Sequence, residues 1–86
     1  MTCRIERVGI ERGVVLRVSG RITGDDLEIL RIGLEESCVV AIDLAEIELV
    51  DRDAVMFLAA AESSGIELTH CPAFIQEWIS RERGRN

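Results

Sequence analysis

The chain has 86 residues, 48 % of them hydrophobic, with 10 Lys+Arg against 16 Asp+Glu and a net charge of −6. These numbers describe one globular domain over residues 1–86 with a single core and a stability of about 5–8 kcal/mol, and they exclude a disordered chain. The acidic balance argues against nucleic-acid or anionic-membrane binding, and two Phe, one Trp and no Tyr leave no stacking platform for bases.

Taken in chain order, the first segment runs from Thr2 to Ile10. Cys3 and Ile5 alternate with Arg4 and Glu6, and Val8 and Ile10 then carry the apolar pattern one step out of phase. The shift predicts a bulge or an early strand end. Glu11-Arg12-Gly13 reads as a turn. Val14, Leu16 and Val18 alternate with Arg17 and Ser19, so the two segments form an antiparallel hairpin with one buried face.

Residues 20–24 interrupt this strand. Thr23 followed by Asp26 resembles a capping box with a shorter acid. Leu27, Leu30 and Leu34, widened by Ile29 and Ile32, predict a helix closed by Glu35, Glu36 and Ser37. Cys38 to Leu44 is apolar apart from Asp43 near its end, which predicts a central strand with parallel neighbours, covered on both faces. A short loop over 45–50 follows.

Asp51 is a good N-cap for the next helix, with Asp53 favourably placed in its first turn. Ala54, Val55, Leu58 and Ala61 share one face, widened by Met56 and Phe57, and Gly65 is suited to end the helix. Ile66, Leu68 and the residues to Cys71 read as a last strand. Pro72 opens a final helix with a stripe of Phe74, Ile75, Trp78 and Ile79, and Arg81, Arg83 and Arg85 suit its C-terminal dipole. The order is β-β-α-β-α-β-α, an α/β mixed sheet with packed helices.

Few residues carry chemistry. Cys3, Cys38 and Cys71 are odd in number and widely spaced, which is no disulfide framework. His70 and Cys71, as strand neighbours, point to opposite faces and make a poor zinc pair. Asp43, Asp51 and Asp53 could be read as a Mg²⁺ pocket, but no lysine exists to support a phosphoryl group, and Asp43 reads better as a residue bonding loop amides. No phosphate loop or catalytic dyad is evident. The expectation is a non-enzyme with no metal and no cofactor. No signal peptide or long apolar span opens the chain, so a cytoplasmic location without membrane insertion is expected.

The hairpin end VLRVSGRIT, the strand VVAIDLAEIELVDRDAV and the closing GIELTHCPAFIQEWI resemble the STAS domain of bacterial anti-sigma-factor antagonists and sulfate-transporter tails. The anchors are Gly20 after the second strand, Asp43-Leu44-Ala45 ending the third, Val50-Asp51 leading into the second helix and Gly65 before the fourth strand. The resemblance implies a STAS-like mixed sheet, minimal because it lacks the last strand and helix of longer members. In phospho-switched members this helix opens with an acid, a serine, a second hydroxyl residue and a glycine. Here those positions are Asp51, Arg52, Asp53 and Ala54, so Arg52 stands at the phosphoacceptor position and cannot accept a phosphoryl group.

The resemblance therefore implies a protein–protein interaction module without the usual phosphorylation switch. Its partner would be an anti-sigma kinase-type protein. Contact would run through the loop before Asp51 and the first two turns of the helix, using Val50, Asp51, Arg52, Asp53, Val55 and Met56. The two acids serve equally as caps, Arg52 as a solvated surface residue, and Met56 as an outward docking contact only if it faces away from the core. Two alternatives remain: an accessory STAS subunit of a transport ATPase, or a domain binding a nucleotide, anion or lipid at the helix N-terminus. The oligomeric state is left open.

Overall fold

The computed structural model describes residues 3–36 and 38–84. Expectations placed on Thr2, Ser37 and Arg85 lie outside the described residues. The elements are β1 (Cys3–Ile10), β2 (Gly13–Ile22), a 3-10 turn (Gly24–Asp26), α1 (Leu27–Glu36), β3 (Val39–Val50), α2 (Arg52–Ser63), β4 (Glu67–Thr69) and α3 (Ala73–Arg83). This is the expected β-β-α-β-α-β-α order. The sheet runs β1-β2-β3-β4, with β1 antiparallel to β2 and β3 parallel to both neighbours.

The strand order never reverses. Right-handed crossovers then put the helices on one face of the sheet, because each connection steps in the same direction. One core follows from this: Leu16 and Val18 of β2 and Ile42 and Leu44 of β3 join Leu30 of α1, Val55 and Leu58 of α2, and Ile75 and Ile79 of α3. The other face carries Val8, Val15, Arg17, Asp43 and Thr69. The expectation that β3 is covered on both faces is therefore corrected. On its open side Ala41 is still only 2 % exposed, since a methyl group there lies low between its longer neighbours Val15 and Glu67.

The open face also explains β1. Its register with β2 runs without a shift from Cys3↔Gly20 to Ile10↔Gly13, so there is no bulge and no early end. Val8 and Ile10 lie on the uncovered face, where they remain 36 % and 42 % exposed. Their phase change needs no backbone irregularity.

The irregularity lies between β2 and β3 instead. Register shifts occur after Val14, between Arg17 and Ser19, and between Gly20 and Arg21, where Gly20 has a φ of 88°. These kinks let β2 continue past Gly20 and bury Ile22. They also correct the expected loop over 45–50. That segment is the second half of β3, paired with Ser19–Ile22, and its Ile47 and Val50 are buried. A spacing of three between Leu44, Ile47 and Val50 does not look like strand alternation, but it fits a strand re-phased by a bulge.

Two helices present narrower apolar stripes than expected. Ile29 and Ile32 of α1 and Phe74 of α3 are exposed, whereas Leu30, Ile75 and Ile79 are buried. Gly33 is buried on the side of α1 that faces Leu16. β4 is shorter than expected, because His70 takes a left-handed φ of 52° and turns the chain before Cys71.

Candidate functional site

The carboxyl ends of β2 and β3 lie side by side, since Ile22 pairs with Val50. Each strand leads into a helical turn, and Asp51 ties the two exits together. Its Oδ1 accepts from the Ala54 amide at 2.9 Å, which is the predicted N-cap of α2. Its Oδ2 accepts from the Gly24 amide at 2.8 Å, and its own N–H donates to the Ile22 carbonyl at 3.2 Å. Asp26 completes the first exit as the acid of the capping box, with Oδ2 accepting from the Thr23 amide at 2.9 Å and the Thr23 hydroxyl at 3.2 Å.

Around this tie the expected contact residues divide. Arg52 and Asp53 are exposed at the tip, and Met56, one turn on, is 48 % exposed. Val50 and Val55 are 6 % and 0 % exposed, so their side chains belong to the core and offer nothing to a partner. Asp51 is half-buried and spends both oxygens on backbone amides. The surface thus comes down to Arg52, Asp53 and Met56, held by Asp51 from beneath. No loop precedes it.

Arg52 is tethered. Its Nε lies 3.6 Å from Oε1 of Glu82 near the end of α3, and the Glu82 side chain is only 8 % exposed. Sequence spacing could not suggest this contact, because Glu82 is 30 positions away in an arginine-rich run. Sequence spacing likewise gives no sign that Gly24 partners Asp51, although the hydrogen bond between them forms the tie.

Asp43 is on the open face, eight residues before Asp51, so about 25 Å of extended chain separates the two. It accepts from the Ala45 amide at 3.0 Å, but both residues lie within β3, which corrects the expectation of a strand-end residue bonding loop amides. It also meets Nε of Arg17 at 3.8 Å and Nδ1 of His70 at 3.3 Å. Asp43, Asp51 and Asp53 therefore form no common pocket, and among the described residues no group of three His, Cys, Asp or Glu side chains is placed to hold a metal.

The three cysteines are unbridged, with Cys3 buried, Cys71 half-buried and Cys38 exposed. Burial, with the Asp26 carboxylate nearby, raises the Cys3 thiol pKa, and burial with Glu62 does the same for Cys71. Both are held as neutral packing groups.

No family model matches the chain, and no curated protein matches it. Among the described residues no helix is long and apolar enough to cross a membrane.

Proposed function

We propose that the chain is a minimal STAS-like interaction module that binds a protein partner through the tip formed by Arg52, Asp53 and Met56. The observation that supports this reading is the Asp51 tie. One carboxylate joins the turns after β2 and β3, which holds an exposed helix start in a fixed position. Rigid presentation lowers the ordering cost of association, and arginine is a frequent interface anchor. With arginine at the position that carries the phosphoacceptor in phospho-switched members, binding is constitutive or governed by the partner's own state. An anti-sigma kinase-type protein is the proposed partner, and the cytoplasm the proposed location. No catalytic role is proposed.

The small-ligand alternative is weakened by the same bonds. The amides of Gly24 and Ala54 would be the donors for an anion, and Asp51 already occupies them. Asp53 adds a negative charge beside them. Capture from native lysate with the wild type and Arg52→Glu as baits tests the proposal. A stoichiometric partner lost on charge reversal supports the tip as the interface, and its identity distinguishes an anti-sigma factor from a transport ATPase. A partner held equally by both baits sinks the proposed surface.

A further inference from the structure

Beside the tip, the start of α2 and the end of α3 enclose a groove of about 520 Å³ lined by Arg52, Trp78, Arg81 and Glu82. We propose that this groove is the docking site for an acidic segment of the partner protein, a run of Asp or Glu interleaved with apolar residues. The inference rests on the interaction-module reading and names the chemistry that its surface would recognise.

Glu82 sets the geometry. Its nearly buried carboxylate engages Arg52 at Nε, while the Arg52 side chain stays 65 % exposed. A bond at Nε holds the guanidinium plane and leaves the two terminal nitrogens without an ion pair among the described residues. Those nitrogens are the pair that grips a carboxylate in the forked arrangement arginine favours. Arg81 is exposed and makes no side-chain ion pair or hydrogen bond among the described residues, whereas Arg83 is engaged by Glu62 at 2.8 Å. Two guanidinium groups against one carboxylate give the groove a positive surplus on a chain whose net charge is −6.

The charge decides the sign of the occupant, and Trp78 decides its texture. The half-buried indole gives the groove an aromatic wall on which an apolar side chain can pack beside the carboxylates held by the arginines. Tryptophan and arginine together are the residue types that most often dominate binding energy at protein interfaces. The overall negative charge repels a polyanion from the rest of the surface, so an acidic peptide that binds at all must find a local positive site.

The chain holds a single tryptophan, so the indole N–H resonance of Trp78 reports on this groove. The full ¹⁵N-labelled chain is titrated with a peptide of Glu-Glu-Leu repeats, with a peptide of Lys-Lys-Leu repeats, and with ATP. The expected result is saturable movement of the indole resonance with the acidic peptide alone. Affinity should fall about tenfold in Arg81→Glu and decline as salt is raised. Arg52→Gln provides a second, milder variant, and preserved spectral dispersion shows that each variant folds. No saturable response to the acidic peptide, or equal affinity in Arg81→Glu, overturns the inference. Saturation by ATP in place of the peptide also overturns it and reassigns the groove to a nucleotide. A partner captured in the Arg52-dependent manner described above, without a peptide response, would leave the module standing and remove only the acidic groove.

Discussion

The carboxylate of Asp51 reaches back 27 positions to the amide of Gly24 at 2.8 Å while capping α2 through its other oxygen. One side chain thus joins two crossover connections. Asp51→Ala should cost about 2–3 kcal/mol, combining a lost helix cap with a lost charge-assisted hydrogen bond. Asp51→Asn keeps one acceptor oxygen and should cost roughly half as much. Urea unfolding monitored by circular dichroism measures both. A loss in Asp51→Ala no larger than that in Asp53→Ala would show that the tie has no structural weight.

Gly33 offers a gain. It lies inside α1, where glycine is unfavourable, and a β-carbon there would meet only Cδ1 of Leu16, at an ordinary 3.6 Å. Gly33→Ala should raise stability by about 0.5–1 kcal/mol. A lower urea midpoint in the variant would mean that α1 packs on β2 more closely than this contact indicates.

Gly13 should behave in the opposite way. Its φ of 146° and a β-carbon position 2.5 Å from the Cys38 carbonyl oxygen leave no room for a side chain. Gly13→Ala should destabilise the protein by more than about 2 kcal/mol. Gly9→Ala, where nothing lies within 4 Å, should stay within about 0.5 kcal/mol of the parent. Comparable losses in the two variants would contradict the placement of the hairpin turn against the start of β3.

The thiols give a pH dependence. Cys3 and Cys71 have folded-state pKa values above their unfolded ones, so the unfolded chain releases these protons first as pH rises. Their contribution to stability is complete below the unfolded thiol value, about 8.5, and is lost as pH climbs through the folded values. The urea midpoint should fall as pH rises above the unfolded thiol value, and the fall should be smaller in Cys3→Ser than in the wild type. Alkylation at neutral pH should modify exposed Cys38 well before the other two, as read by peptide mass mapping. A rate at Cys3 matching that at Cys38 would show that β1 opens easily at its edge.

Local pattern was a sound guide wherever one residue's neighbours lay within a turn or a hairpin. The alternation of Val14, Leu16 and Val18, the Thr23 and Asp26 pair, and the Asp51 cap before Ala54 each involve contacts within a few positions, and each is present. Patterns that cross a bulge were misread. Leu44, Ile47 and Val50 looked like a strand followed by a loop, because the re-phasing that buries all three comes from pairing with β2 some 25 residues earlier. Val8 and Ile10 were misread for a related reason. Whether a face of a sheet is covered depends on the direction in which later strands are added.

The candidate site divides along the same line. The identities at its tip were legible: Asp51 as cap, Arg52 directly after it, Met56 facing outward if the core lay behind it. Which of them can be touched was settled by packing, which buried Val50 and Val55 and left Arg52, Asp53 and Met56 at the surface. Two relationships belong to the tertiary structure alone. Asp51 meets Gly24, and Arg52 meets Glu82, across 27 and 30 positions that only the folded chain brings within hydrogen-bonding or ion-pairing reach. Residue order carries short-range periodicity and caps because those interactions are local along the chain. Long-range pairs arise only once burial of a common core has fixed how the strands and helices face one another.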